Sequence, residues 1–275
     1  MYPVGRLKFG ETGRRGYAGC MHTAPSTDAR QLATMLEQAG QQALEFFRTV
    51  KTEYKQDGSE VTAADRACSE MLVEALASAY PTCAVVSEEG EAVAGSGPTW
   101  FVDPIDGTAA FLEGLSTWGP ALSLVDGDEV LMGAVYLPRL GEHWFAARGA
   151  GAWRDEHRLP ALKARPLTRR DSICIGSRFH RVGPLPWKGK VRCLGSSAIH
   201  LTQVAAGGSV ATVIPFWEIW DVGAGCLMIE EVGGTARDLQ GQPFRLSHHG
   251  GGPFVAGHPD ALDQLHPLLQ TLAEI

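Results

Sequence analysis

Apolar residues recur at helical spacing in two stretches near the start of the chain. Between residues 28 and 50 they stand three or four positions apart, which predicts an amphipathic helix capped by Ser26 or Thr27. A second helix is predicted to begin at Thr62, because Asp65 follows at the spacing of a capping box. The chain is therefore expected to begin with two amphipathic helices whose apolar faces pack against the rest of the protein.

Short apolar runs and alternating patterns predict strands in the rest of the chain. Runs at 83–86 and 100–102 are typical of buried strands, and the segments 118–125 and 129–137 flank a hairpin turn at residues 126–128. In the second half, short strands alternate with helices. Strands are predicted at 172–175, 191–194, 210–214 and 254–256, and helices from Ser196 or Ser197, from Trp220 and from Asp260. The pattern predicts the α/β (α+β) class.

A change of composition near residues 164–167 is the best candidate for a domain boundary. It divides the chain into an N-terminal α+β part at 26–165, with an antiparallel sheet, and a C-terminal α/β part at 166–275. Residues 1–25 are rich in Gly and Arg and are predicted to form a poorly ordered leader. Either Met1 or Met21 could be the true start.

Composition narrows the class of protein. With 44% hydrophobic and 20% charged residues, the chain matches a globular protein, and its net charge of -7 argues against a general nucleic-acid binder. Six scattered cysteines without a C-x-x-C pair predict reduced thiols in the cytoplasm, not a disulfide framework or a zinc site. No segment has the length of a membrane span or the apolar core of a signal peptide.

Acidic residues leave the ends of three predicted elements. Glu88 follows one strand, Asp103 and Asp106 follow the next, and Asp221 begins a later helix. Any one of them alone is more simply a helix cap or part of a turn. Together they predict a cluster of carboxylate oxygens without His or Cys, and such a cluster selects Mg²⁺ or Mn²⁺ over Zn²⁺.

Four motifs resemble those of the inositol monophosphatase family of Mg²⁺-dependent, lithium-sensitive phosphatases. They are the segment Lys55 to Asp65, the pair Glu88-Glu89, the run Asp103-Pro104-Ile105-Asp106-Gly107-Thr108, and Trp220-Asp221 before small residues. The resemblance implies a layered αβαβα sandwich of the inositol monophosphatase or sugar phosphatase kind. It also implies a homodimer and a small phosphorylated substrate. From the net charge and the lack of a long apolar segment, no nucleic-acid or membrane partner is expected.

The resemblance further implies which residues hold metal. Glu88, Asp103 and the carbonyl of Ile105 would bind one ion, while Asp103, Asp106 and Asp221 would bind a second. Two or three Mg²⁺ per site are implied, with Mn²⁺ as a substitute and with Li⁺ and Ca²⁺ as inhibitors. Metal-activated water would then attack phosphorus directly.

The remaining roles implied by the resemblance concern water and substrate. Glu88, Thr108 and Asp106 form the catalytic set, and Thr108 and Glu88 would orient the water. Substrate-binding residues are Gly107, Thr108, Gly195, Ser196 and Glu218, and the supporting residues are Lys55, Asp65 and Glu89. For Gly195 and Ser196, an ordinary helix cap is an equally good interpretation.

The substrate is less well defined than the reaction. Ala109-Ala110 stands where relatives carry residues typical of their subfamily, and Glu218 is the displaced counterpart of an acid that grips sugar hydroxyls. Inositol monophosphate or a related sugar or polyol phosphate is the first expectation. Adenosine 3',5'-bisphosphate and histidinol phosphate are the alternatives. Arg178 and His180 could contact the bisphosphate, but a surface turn is the slightly better interpretation of their segment. A regulatory or binding protein on a phosphatase scaffold is an alternative of another class.

Overall fold

The computed structural model describes residues 27–55, 58, 60–181, 185–246 and 252–269, so the predicted leader at 1–25 lies outside the described residues. Helix α1 spans Thr27–Phe46 and helix α2 spans Ala63–Ala79. The prediction that α1 reaches residue 50 is wrong, because the chain turns after Phe46 and Arg48 adopts a left-handed φ of 64°. The predicted capping box of α2 is confirmed, with Thr62 as its N-cap.

The first sheet has eight strands in the order β10-β9-β8-β7-β6-β5-β3-β4. They follow a short hairpin of β1 (Glu53–Tyr54) and β2 (Glu60–Val61). The strands are β3 (Ala84–Ser87), β4 (Ala92–Val93), β5 (Thr99–Asp106), β6 (Gly119–Asp126), β7 (Glu129–Leu137), β8 (Glu142–Ala147), β9 (Gly151–Arg154) and β10 (His157–Arg158). Helix α3 (Thr108–Leu112) connects β5 to β6. Neighbouring strands are antiparallel except for β3 and β5, and the predicted hairpin between β6 and β7 is confirmed.

The second sheet has five strands in the order β12-β11-β13-β15-β14. They are β11 (Ser172–Ile175), β12 (Lys190–Arg192), β13 (Ala211–Ile214), β14 (Thr235–Asp238) and β15 (Phe254–Gly257). The helices of this half are α4 (Ser197–Ala205), α5 (Ile219–Glu231) and α6 (Pro259–Leu269). Sequence periodicity did not predict β14, whose Arg237 and Asp238 interrupt its apolar pattern.

Helices and sheets alternate in five layers. Helices α1 and α2 cover one face of the first sheet, α4 and α5 lie between the two sheets, and α6 covers the outer face of the second. Gly133 of β7 lets α5 approach closely, since an added Cβ would lie 2.6 Å from the Cα of Ala224. The αβαβα sandwich implied by the resemblance is confirmed. No described helix is both long and apolar enough to cross a membrane.

Candidate metal centre

Strand β3 ends at the first acidic pair, which a lysine from the β1–β2 hairpin joins. Lys55 Nζ donates to Glu88 Oε1 and to Glu89 Oε1, each at 2.9 Å. Burial is the largest single influence on the Lys55 pKa and lowers it, but the charges and hydrogen bonds of Glu88 and Glu89 together outweigh it, so the net shift is upward. Burial raises the pKa of Glu89 to about 7, although its bond to Lys55 opposes the shift. Lys55 therefore fixes both glutamates at one edge of the candidate site.

A bulge at the end of β5 separates Asp103 from Asp106. Asp103 pairs with Ala121 and Asp106 with Gly119, so β5 holds one residue more than β6. Pro104 lies in this bulge, where its missing N–H breaks no ladder bond. Asp103 is only 2% exposed, and its Oδ1 accepts the Ile105 N–H at 2.9 Å.

Asp106 faces the start of helix α4. Its Oδ2 accepts the Ser196 hydroxyl and the Ala198 N–H, both at 2.6 Å, and its Oδ1 accepts the Ser197 N–H at 3.3 Å. Burial raises the pKa of Asp106 to about 6, while these donors limit the rise. Gly195, at φ 85°, makes the turn into α4. Asp106 thus joins the first sheet to the helix layer between the sheets.

Helix α5 supplies the last acid. Asp221 Oδ2 accepts the N–H of Glu218, the residue that caps this helix, at 2.9 Å. Glu88, Asp103 and Asp221 each offer an oxygen within 4.8 Å of the others. Burial, and next the charge of a neighbouring carboxylate, raise the pKa values of Asp103 and Asp221 well above their usual range. Both carboxylates therefore lie in surroundings that penalise their negative charge.

The donor set fits a hard divalent cation. All three convergent ligand atoms are carboxylate oxygens, the type that Mg²⁺ and Mn²⁺ prefer. Among the residues that the structure describes, no Lys, Arg or His forms an ion pair with Asp103, Asp106 or Asp221. A bound cation would supply the missing positive charge.

Thr108 connects this cluster to helix α2. Its hydroxyl lies 3.2 Å from Asp65 Oδ1 and 3.3 Å from the Ile105 carbonyl oxygen. The other oxygen of Asp65 accepts the N–H and the hydroxyl of Thr62 at 2.8 and 2.6 Å. Gly107, at φ 94°, reverses the chain between Ile105 and Thr108. One capping carboxylate therefore fixes both the start of α2 and the hydroxyl at the candidate site.

Several residues considered for substrate binding have other surroundings. Ser196 is 2% exposed and accepts the Ile199 N–H at 3.1 Å besides donating to Asp106. Ala110 is buried, and a Cβ added at Gly195 would lie 2.8 Å from the Ala110 Cβ. Ala110 therefore packs against the turn that begins α4. Arg178 lies 3.9 Å from Glu60 at the end of the hairpin.

Sequence reasoning missed two parts of this region. It did not predict that three donors at the start of α4 bind Asp106, although it did place a helix cap at Ser196 or Ser197. It also missed the bond between the Ser69 and Ser87 hydroxyls at 2.5 Å, with Ser69 donating to Glu91 at 2.5 Å. No spacing motif joins residues so far apart in the chain.

Comparisons with known proteins cover most of the chain. A family model described as the inositol monophosphatase family matches residues 25–273. A Streptomyces griseus protein named glucose-1-phosphate thymidylyltransferase is 31% identical over 80% of this chain and 88% of its own. An inositol-1-monophosphatase of Mesorhizobium japonicum is 31% identical over 77% of this chain and 83% of its own. The structure of extragenic suppressor protein suhB from Bartonella henselae, at 25% identity, covers 89% of this chain and 99% of its own with a TM-score of 0.80.

Proposed function

Because the chain belongs to the inositol monophosphatase family of Mg²⁺-dependent phosphomonoesterases, we propose that it hydrolyses the phosphate monoester of a small polyol or sugar, inositol monophosphate first. The convergence of Glu88, Asp103 and Asp221 carries this proposal, since three carboxylates within 4.8 Å favour a divalent cation where the phosphate binds. The inositol-1-monophosphatase from Mesorhizobium japonicum supports the choice of substrate.

The proposed ligands come from both sides of the bulge. Glu88, Asp103 and the Ile105 carbonyl would hold one cation, and Asp103, Asp106 and Asp221 a second. Bound cations supply positive charge for the phosphoryl oxygens and lower the pKa of water. Ser196 and the α4 amides hold the Asp106 carboxylate in place, and the Glu218 N–H does the same for Asp221.

Thr108 and its neighbours would orient the attacking water and accept the proton of the Thr108 hydroxyl in a hydrogen bond. Asp65 Oδ1 and the Ile105 carbonyl lie within reach of the Thr108 hydroxyl proton, which leaves the hydroxyl oxygen to accept a hydrogen bond from water. Glu88, held by Lys55, would accept a second hydrogen bond from the same water. The backbone at Gly107 and Thr108 would contact the phosphate. These groups orient the nucleophile for direct attack on phosphorus without a phosphoenzyme.

A nucleotide is the second candidate substrate, and two exposed aromatic side chains favour it. Tyr54, next to Lys55, is 72% exposed, and Phe216, two residues before Glu218, is 54% exposed. Glu218, the expected acid for sugar hydroxyls, is the N-cap residue of α5. An aromatic base could stack on Phe216 while Arg178 meets a second phosphate.

Phosphate release from a panel of esters with and without Mg²⁺ tests both candidates. The panel contains inositol 1-phosphate, a sugar phosphate, histidinol phosphate and adenosine 3',5'-bisphosphate. A further assay with glucose 1-phosphate and dTTP tests the reaction in the name of the Streptomyces relative. That reaction would release pyrophosphate, whereas hydrolysis of a monoester releases phosphate. Folded, Mg²⁺-saturated protein that releases no phosphate would favour the regulatory alternative. The homodimer and the cytoplasmic location remain predictions, and light scattering checks the first.

A further inference from the structure

Helix α2 carries a buried serine that bonds to the loop after strand β3. Ser69 lies within α2 and Ser87 is the last residue of β3, and they are 0% and 4% exposed. Their hydroxyl oxygens lie 2.5 Å apart, and the Ser69 hydroxyl donates to Glu91 Oε2 at 2.5 Å. Because each hydroxyl has only one proton, Ser87 must be the donor to Ser69. Ser87, Ser69 and the Glu91 carboxylate therefore form a directed chain of hydrogen bonds, here named the serine chain.

The serine chain begins at the backbone of the first acidic pair. The Glu89 N–H lies 3.4 Å from the Ser87 hydroxyl oxygen, which accepts it. The preceding amide, that of Glu88, donates to the Val102 carbonyl of β5 at 3.0 Å. The Ser87 N–H closes the loop by donating to the Glu91 carbonyl at 2.9 Å. The amides of the acidic pair are thus held on one side by strand β5 and on the other by the serine chain.

Helix α2 contacts both segments that supply the convergent carboxylates of the first sheet. Ser69 lies four residues after Asp65, so the two side chains share one face of the helix. Asp65 Oδ1 accepts the Thr108 hydroxyl at 3.2 Å, just beyond the end of β5, while Ser69 contacts the loop that presents Glu88. The relative position of these two segments decides whether Glu88 and Asp103 meet, so α2 is placed to fix it.

Stability alone would explain a buried serine that bonds within its own helix. A helical serine can donate to the carbonyl four residues earlier, which would satisfy its hydroxyl without reaching another segment. Ser69 instead donates to Glu91, 22 residues later, on the loop that carries a proposed metal ligand. Hydrogen bonds that point in one direction and end on a charged group strengthen one another. Loss of one hydroxyl should therefore loosen the whole serine chain.

We propose that Ser69 is a positioning residue, which acts through Ser87 and Glu91 to hold the Glu88 carboxylate where it meets Asp103 and Asp221. The inference rests on the proposed metal centre, because Ser69 contributes no ligand atom of its own.

Binding of Mn²⁺ to the full chain tests the proposal without any substrate. The electron paramagnetic resonance signal of free Mn²⁺ gives the Kd directly, and Mn²⁺ takes carboxylate oxygens as Mg²⁺ does. Ser69→Ala removes the central hydroxyl without changing the charge of the protein, so weaker binding is not an effect of net charge. We expect its Kd to rise about tenfold, the lower end of the range for residues that support a metal ligand.

Substitution of Glu91 tests the end of the serine chain. Glu91→Gln keeps an oxygen that accepts the Ser69 proton and should retain most of the Mn²⁺ affinity, whereas Glu91→Ala should weaken binding at least as much as Ser69→Ala. The double variant Ser69→Ala, Glu91→Ala should bind no more weakly than Glu91→Ala, because both changes break the same chain. If Ser69→Ala does not fold, the comparison of Glu91→Ala with Glu91→Gln decides the question, since Glu91 lies on a loop and is only half-buried.

Cys68→Ala is the matched control for stability. Cys68 is the neighbouring buried residue of α2, and its thiol donates to the Ala39 carbonyl of α1 at 3.2 Å, away from the loop. It should lower the urea midpoint and leave the Mn²⁺ Kd unchanged. The proposal is overturned if Ser69→Ala lowers the urea midpoint but binds Mn²⁺ like the wild type, or if Cys68→Ala weakens binding equally. Wild-type protein that binds no Mn²⁺ would overturn the proposed metal centre itself, and this inference with it.

Discussion

Replacing the Ser196 hydroxyl tests whether this residue supports the Asp106 carboxylate or contacts the substrate. It donates to Asp106 at 2.6 Å and accepts the Ile199 N–H at 3.1 Å, so Ser196→Ala removes a support of a proposed ligand and the side-chain cap of α4. If Ser196 instead contacts the substrate, the same variant should raise KM at saturating Mg²⁺. The two roles therefore give different results in one assay.

The expected effect on stability follows from the two lost bonds. Losing the cap costs about 1 kcal/mol. Losing a hydrogen bond to a buried carboxylate costs about 1.5–3 kcal/mol. Because both bonds share one hydroxyl, we expect the free energy of unfolding to fall by roughly 2–3 kcal/mol, short of full additivity.

The expected effect on metal binding is of similar size. Residues that hold a metal ligand in place change metal affinity by about 10–100-fold when they are removed. The Ser196 bond is also one of the donors that limit the Asp106 pKa, which burial raises to about 6. Without this bond the pKa rises further, so Asp106 is protonated at a higher pH and the variant should lose activity sooner as the pH falls.

The assay is a Mg²⁺ titration of phosphate release at pH 6, 7 and 8, together with urea unfolding. Ser197→Ala is the matched control, because the Ser197 hydroxyl has no hydrogen bond within the described part of the chain while its N–H remains in place. We expect the Mg²⁺ midpoint of Ser196→Ala to rise at least tenfold and that of Ser197→Ala to stay unchanged. An unchanged midpoint in Ser196→Ala, or an equal shift in both variants, would refute the supporting role.

Three further predictions concern other residues. Asp103→Asn should lower phosphate release by more than the ~100-fold that a supporting residue costs, yet keep or raise the free energy of unfolding, because it removes a buried charge. Burial lowers the His200 pKa from 6.5 to about 4, so the unfolded chain binds the proton first as the pH falls. Urea unfolding should show stability falling by up to about 3 kcal/mol between those pH values, and His200→Gln should flatten this dependence. In Gly225→Ala a new Cβ would overlap Leu201 across the α4–α5 contact, which should cost about 1–3 kcal/mol in thermal unfolding. Gly252→Ala, which has open space, should cost little.

The parts predicted well from the sequence depend on local physics. Thr62 and Asp65 form their capping box within one helical turn, and the turn between β6 and β7 joins neighbouring strands. The acids were also predictable, because a strand end or a helix start presents each of them and their shared chemistry does not depend on sequence separation. Glu88, Asp103 and Asp221 converge from three elements as one carboxylate cluster.

The parts that sequence reasoning missed depend on contacts between distant segments. Ser196 is an acceptable helix cap in sequence, and only the packing of α4 against the end of β5 reveals Asp106 as its partner. Whole-chain charge was similarly uninformative, because a sum cannot show that residues 163–192 are basic while the remainder is acidic. An average over the whole chain conceals such a local excess.

The difference between local sequence signals and contacts of distant segments also bears on which residues select the substrate. Ala109-Ala110 was the natural place to look, since it follows the residues proposed to bind metal and phosphate. Ala110 is buried against the turn at Gly195, so a larger side chain there would displace α4 and with it the donors to Asp106. Variation at this position would therefore change the support of the Asp106 carboxylate. The exposed Phe216 lies close in sequence to the Asp221 carboxylate without bonding to it, so Phe216→Ala should alter the ranking of substrates while leaving the Mg²⁺ midpoint unchanged. A proportional loss on every ester in the panel would place substrate choice elsewhere.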